Sequence, residues 1–310
     1  MIIQTPDDLI TSRLGFGCGR LKGGGEKNNS LRLVHTALDV GIRYFDTAPP
    51  YGLGASEGVL GEALKGRQEN VIVATKVGLP RPASPGLMQL ARAIVKPLAG
   101  RIPLLQKAVL KGVTQRTQHA NFSIPFVEQS FETSLRLLCR ERIDYLLLHE
   151  ALFDDQIEPL QVIFETYVAK GQLGAYGSST GESIEQLIRF GSISQYRCPD
   201  PVLVKCPTSN SDVLHGALRY IETSVSQQML INPKIKELLM GLLPVSVAPG
   251  EASGALALAY VMAYFENRLL FSTNCPKRLV NTVGQLRYIL ENPNWRPVMK
   301  VLFRELESCL

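Results

Sequence analysis

Eight short apolar runs alternate with segments of helical period along almost the whole chain of 310 residues. The runs lie at residues 13–19, 43–48, 70–78, 144–150, 174–180, 202–207, 220–226 and 268–273, and the helical segments lie at residues 30–41, 56–66, 125–140, 157–171, 183–190, 252–267 and 276–290. Strands that alternate with helices pair in parallel through βαβ crossovers. The pattern therefore limits the chain to a closed (β/α)8 barrel or an open doubly wound sheet.

The number of runs and the polar residues that end them both favour an α/β fold of the TIM barrel type. Asp46, Lys76, His149 and the pair Ser178 and Ser179 each close an apolar run at its carboxyl end. In a (β/α)8 barrel these ends meet on one face, which is where active sites lie. We therefore expect one barrel domain over residues 1–310, with its site on that face.

Two segments interrupt the alternation, an insertion over residues 79–123 after strand three and a C-terminal tail over residues 291–310. The insertion starts proline-rich and continues basic. Loops of this length inside a compact domain usually carry function, so it is predicted to be a substrate loop. We expect Trp295, the only tryptophan, to pack beneath the tail in preference to the alternative that it lines the pocket.

Charge and cysteine usage exclude several classes of protein. The net charge is +5, but the basic residues are scattered, whereas nucleic-acid binding needs them clustered. Six cysteines without paired spacing favour reduced thiols over a disulfide framework or a zinc site. Neither a signal peptide pattern nor an apolar span of membrane length is seen. We expect a cytoplasmic monomer or weak homo-oligomer without metal, nucleic acid or membrane partners.

Four ionisable side chains at neighbouring strand ends combine into a proton-transfer site. Each of Asp46, Tyr51, Lys76 and His149 alone is commonly structural. A tyrosine with a pKa of about 10 is a poor acid catalyst at neutral pH. A neighbouring ammonium lowers that pKa, and a carboxylate holds the ammonium in place. Together the four predict a phenol tuned for general acid–base work, beside an imidazole donor.

The chain resembles the aldo-keto reductases over most of its length. "GIRYFDTAPPYGLGASEGVLGEAL" resembles that family's second strand, catalytic turn and second helix; "VIVATKVG" resembles the third strand, and "FETSLRLLCRERIDYLLLHE" a helix and the fourth strand. The resemblance implies that Tyr51 is the general acid, that His149 orients the carbonyl oxygen, that Lys76 lowers the pKa of Tyr51, and that Asp46 pairs with Lys76. The implied activity is reduction of a small-molecule aldehyde or ketone, or the reverse alcohol oxidation.

The same resemblance implies a nicotinamide cofactor, NADPH in preference to NADH. "GAYGSST" and "LALAYVMAYFENRLLFSTNCPKRLVNTV" are similar to the fifth strand and the cofactor segment. Lys277 and Arg278 are alternative readers of the 2′-phosphate, because two alignments place one or the other there. The implied cofactor-binding residues are Ser178, Ser179, Lys205, Ser272, Asn274, Lys277, Arg278 and Asn281.

Three family features are altered in this sequence. Ser178 and Ser179 stand where the family has Ser-Asn, and "VKCPTSN" places Lys205 where a glutamine is expected, with no aromatic residue to stack on the nicotinamide. "SVSQQMLINP" lacks the diphosphate loop. The "LGFGCG" run is out of register for a Rossmann fingerprint and is expected to mark close backbone packing.

Two other functions compete with reduction. The altered cofactor features are compatible with a non-catalytic cofactor-sensing or regulatory barrel, and the Tyr51–Lys76 pair is compatible with a lyase or isomerase that needs no added cofactor. Retention of all four catalytic residue types favours the oxidoreductase.

Overall fold

The chain folds into a closed barrel of eight parallel strands, which confirms the predicted fold class. The computed structural model describes residues 5–67, 71–82, 120–153, 155–199, 212–216, 218, 232–247 and 249–307. The strands are β1 (Leu14–Gly17), β2 (Tyr44–Asp46), β3 (Ile72–Val77), β4 (Ile143–His149), β5 (Leu173–Ser179), β6 (Ile193–Arg197), β7 (Val213–His215) and β8 (Arg268–Phe271). Each strand pairs with the next in sequence, and β8 pairs with β1 to close the barrel.

Helices connect many of the strands. They are α1 (Pro6–Arg13), α2 (Lys27–Asp39), α3 (Ser56–Leu64), α4 (Ile124–Leu138), α5 (Pro159–Ala169), α6 (Pro233–Met240), α7 (Ser253–Tyr264), α8 (Pro276–Glu291) and α9 (Trp295–Glu307). The helices α2, α3, α4, α5, α7 and α8 match predicted segments. Within the ranges given above, no helix is long and apolar enough to cross a bilayer.

The predicted positions of the sixth and seventh strands are wrong. Those strands are β6 and β7, whereas residues 202–207 and 220–226 lie outside the described residues. β6 mixes polar with apolar residues and β7 has three residues, so neither gives a clear period-2 signal.

Three of the helices given above were not predicted, and one predicted helix does not form. A 3-10 turn over Ile184–Gln186 stands where a helix was predicted over residues 183–190. The helix α1 begins at a capping box in which Thr5 and Asp8 bond each other's backbone, a signal present in the sequence. The helix α9 lies within the predicted tail, and its Trp295 is buried in the core as expected. The boundaries of the insertion and the tail stay predictions.

Two buried clusters stabilise the barrel, a small one made of strand residues and a larger one. Tyr44, Leu147 and Leu270 belong to a buried cluster inside the barrel. The guanidinium of Arg268, at the start of β8, lies 4.4 Å from the centroid of the Tyr44 ring. A larger core packs between the strands and the surrounding helices. Polar side chains collect at the carboxyl ends of the strands, as in other barrels of this type.

Candidate active site

A cavity of about 240 Å³ opens at the carboxyl ends of the strands. It receives residues from β1, β2, β4, β5, β6, β7 and β8, so it lies over the barrel axis. Its lining includes Asp46, Tyr51 and His149, which the sequence predicted to be catalytic. The predicted strand-end residues are therefore brought to one face.

A buried ion pair joins β2 and β3 beneath this cavity. The ammonium of Lys76 lies 2.7 Å from Oδ1 of Asp46 and donates a second hydrogen bond of 2.9 Å to the carbonyl of Thr47. The two side chains are 0% and 4% exposed. Burial alone would lower the pKa of Lys76, but Asp46 and Tyr51 favour the ammonium and the net pKa is raised. Lys76 is therefore a fixed cation in the barrel mouth.

Tyr51 lies above this cation in a short turn between β2 and α3. The ammonium of Lys76 is 4.7 Å from the centroid of the Tyr51 ring. Burial raises the pKa of Tyr51 above its ordinary value; the Lys76 ammonium opposes that rise, and Asp46 adds to it. The sequence predicted a lowered pKa, and for this structure that net direction is wrong because burial outweighs the cation. At neutral pH the phenol is protonated, which is the state of a proton donor.

His149 faces Tyr51 from the end of β4. The two rings meet edge to face, with their centroids 5.8 Å apart and an interplanar angle of 84°. Burial holds the pKa of His149 well below its usual range, and the nearby Lys76 and His215 add to this. The imidazole is therefore neutral. Its Nδ1 is buried and has no hydrogen-bond partner among the described residues.

The cofactor-binding predictions separate into two groups by position. Ser178 is buried with a hydroxyl that has no described partner, and Ser179 and Ser272 line the cavity. Asn274, Lys277, Arg278 and Asn281 are exposed near the start of α8. Lys205 lies outside the described residues.

Gln195 and His215 line the cavity and were missed in the sequence. Gln195 pairs in register with Ser179, and its Oε1 is buried without a partner among the described residues. The resemblance led us to expect a glutamine after strand six, and the misplaced strand assigned that position to Lys205. Recognising β6 in "SISQYR" would have found Gln195. His215 ends β7, and its Nε2 lies 2.8 Å from the carbonyl oxygen of Thr180.

The glycines of "LGFGCG" permit close approach between strands, as expected. A Cβ atom on Gly15 would lie 2.8 Å from side-chain atoms of Leu270 and Tyr44. On Gly17 it would lie 3.4 Å from Cβ of Ser272. The run leads into a 3-10 turn, Cys18–Arg20, whereas a Rossmann phosphate loop opens an α-helix.

Comparisons with known proteins identify the family and agree with the fold. A model of the Aldo/keto reductase family matches residues 13–210. Aldo-keto reductase YhdN of Bacillus subtilis is 30% identical over 203 residues, which are 62% of this chain and 50% of that protein. The NADH-specific methylglyoxal reductase of Escherichia coli is 27% identical over 199 residues, which are 60% and 54%. The chain spans about half the length of these curated relatives.

The fold is also that of solved reductase structures. An aldo-keto reductase from Klebsiella pneumoniae, in complex with NADPH, matches with a TM-score of 0.59. The match covers 93% of this chain and 90% of that chain at 15% sequence identity, so it bears on the fold alone.

Proposed function

The chain belongs to the aldo/keto reductase family, and from this premise we propose that it is an NADPH-dependent oxidoreductase that reduces a small aldehyde or ketone, or oxidises the corresponding alcohol. One observation carries the proposal. Tyr51 lies between the buried Lys76 cation and the neutral His149 at the wall of a cavity. A protonated phenol and an imidazole donor facing one cavity suit protonation of a carbonyl oxygen.

Four residues of the chain have different roles in proton transfer. Tyr51 donates its proton to the carbonyl oxygen, and the Lys76 ammonium stabilises the phenolate that remains. His149 is kept neutral, so it orients the oxygen by donating a hydrogen bond without competing for the proton. Asp46 fixes the ammonium. In the oxidation direction, the Tyr51 phenolate accepts the alcohol proton.

A bound nicotinamide cofactor supplies the hydride that the carbonyl carbon accepts. The donors and acceptors at the barrel mouth fit such a group. Ser178 and Gln195 each present a buried side-chain oxygen without a described partner, which suits the carboxamide. Ser179 and Ser272 line the cavity. The phosphate end of the cofactor would be held near the start of α8, by Asn274, Lys277, Arg278 and Asn281. The role of Lys205 stays a prediction.

NADPH is the proposed nucleotide because Lys277 and Arg278 place two exposed cations in the first turn of α8. The Klebsiella pneumoniae structure holds NADPH, whereas the Escherichia coli relative is NADH-specific, so relatives of this chain use both nucleotides.

Removal of the residue that reads the 2′-phosphate is expected to weaken NADPH binding by about tenfold to 100-fold, the effect of one charge-assisted hydrogen bond. Lys277→Ala and Arg278→Ala would be compared by fluorescence titration with NADPH and NADH. The NADH affinity should stay unchanged in both variants. Lys65→Ala, an exposed lysine after the end of α3, is the control. Equal losses for NADPH and NADH would contradict a 2′-phosphate contact.

The proposed function is tested with purified protein and a panel of neutral, cationic and anionic aldehydes and ketones. We expect oxidation of NADPH that depends on the carbonyl, with the alcohol product identified by mass spectrometry. No turnover with either nucleotide in either direction would overturn the proposal. Turnover without any nucleotide would instead favour the lyase or isomerase.

We also propose a reducing, cytoplasmic setting. Among the described residues, Cys18 and Cys275 are free thiols, which suits such a compartment. The state of assembly, monomer or weak homo-oligomer, stays a prediction that light scattering would test.

A further inference from the structure

The turn that carries Tyr51 has a backbone that needs support from its surroundings. Gly52, Leu53 and Gly54 follow one another with φ of 59°, 59° and 87°. Leucine rarely adopts this left-handed region, and such conformations persist only where neighbouring groups hold them. The position of the Tyr51 phenol depends on this turn, so the groups that hold it bear on catalysis.

The Arg81 guanidinium holds both sides of the turn. Its Nη1 donates to the carbonyl of Gly54 at 2.8 Å and to the carbonyl of Pro49 at 3.4 Å. These two carbonyls flank Tyr51 in the sequence, one before it and one on the last of the three left-handed residues. Arg81 lies four residues beyond the end of β3, in the first part of the predicted insertion.

A buried carboxyl group fixes the same guanidinium. Glu57, in the first turn of α3, is 0% exposed and pairs with Nη2 of Arg81. Its other oxygen accepts a 2.6 Å hydrogen bond from the hydroxyl of Thr75, which precedes Lys76 on β3. The pair therefore connects the Tyr51 turn to the strand that carries the cation beneath it.

We propose that Arg81, held by Glu57, is a positioning residue that fixes Tyr51 over Lys76. It is absent from the lining of the cavity, so it acts through the turn and contacts no reacting group. A planar guanidinium donates to two carbonyls and a carboxylate at once, which an ammonium or an apolar side chain does not reproduce. The expected effect on kcat rests on the proposed function, whereas the expected displacement of the Tyr51 ring does not.

The test compares the variant Arg81→Met with Arg140→Met, in which another arginine with a mostly buried side chain is replaced. Misplacement of a catalytic group by about 1 Å can cost about 100-fold, so we expect kcat to fall by about tenfold to 100-fold while the Kd for NADPH changes less than about twofold. Guanidinium at non-denaturing concentration should restore part of the kcat of Arg81→Met. The control is Arg140→Met, which removes an ion pair with Asp144 and a bond to the Val71 carbonyl at the amino-terminal ends of β3 and β4. It should lower Tm but leave kcat and its response to guanidinium unchanged.

Crystal structures of the wild type and Arg81→Met give a second measurement that needs no turnover. We expect the distance between the Tyr51 ring centroid and the Lys76 ammonium, which is 4.7 Å in the wild type, to increase in the variant. An unmoved ring would overturn the positioning role even in a protein without reductase activity. A kcat of Arg81→Met equal to that of the wild type would also overturn it. The same holds if the affinity for NADPH falls as much as kcat does. A wild type that reduces no carbonyl refutes the proposed function, and the ring position in Arg81→Met still decides the positioning role.

Discussion

Tyr51→Phe is expected to lower kcat for carbonyl reduction by about 100-fold to 10,000-fold, the usual contribution of a positioned general acid. The variant removes one hydroxyl and keeps the ring, which packs edge to face against His149. Because the cofactor residues proposed above lie on β5, β6 and near α8, the Kd for NADPH should change less than about twofold. Stopped-flow mixing of the NADPH complex with a carbonyl substrate measures the chemical step, and fluorescence titration measures the affinity.

Tyr288→Phe is the matched control, because that tyrosine is 45% exposed on α8. It should keep the wild-type rate. A Tyr51→Phe variant that remained fully active would show that another group donates the proton. A variant that lost turnover together with NADPH affinity would show that the hydroxyl acts in binding.

The barrel, and the position at its mouth of the residues proposed for proton transfer, could be predicted from the sequence because their signals are local. Asp46 and His149 each end a strand, and Lys76 lies one residue before the end of another. Parallel pairing of consecutive strands places such ends together. The contact between Asp46 and Lys76 follows from the pairing of β2 with β3. The sign of the Lys76 effect on Tyr51 was also visible, but the extent of burial that outweighs it depends on the folded barrel.

The features that could not be predicted depend on weak or long-range signals. The strand β6 carries Gln195 within a mixture of polar and apolar residues, so the run over residues 202–207 gives the stronger strand signal. That signal puts Lys205 at the position expected for the glutamine. The Arg81–Glu57 pair joins residues that are 24 positions apart, so no local sequence pattern predicts it. Such long-range pairs can be identified only from the folded structure.

Lys76→Met is expected to lower the free energy of unfolding by about 3–5 kcal/mol, the cost of breaking a buried ion pair by removing one partner. Asp46 is 3% exposed, so the variant leaves a buried carboxylate without its cation. Urea denaturation measures the loss. Lys27→Met is the control, because Lys27 and Glu62 form a pair with side chains that are 42% and 47% exposed, and exposed pairs contribute about 0–1 kcal/mol.

The double variant Asp46→Asn with Lys76→Met separates charge burial from packing. It removes both charges, so most of the lost stability should return, whereas the missing cation should keep kcat low. A Lys76→Met protein that is no less stable than Lys27→Met would show that Asp46 is compensated by another group. If the double variant regained activity as well as stability, Lys76 would have no role in proton transfer. Stability and turnover are expected to respond differently in the double variant, because the stability loss comes from the unpaired Asp46 carboxylate, whereas the loss of turnover comes from the missing Lys76 ammonium.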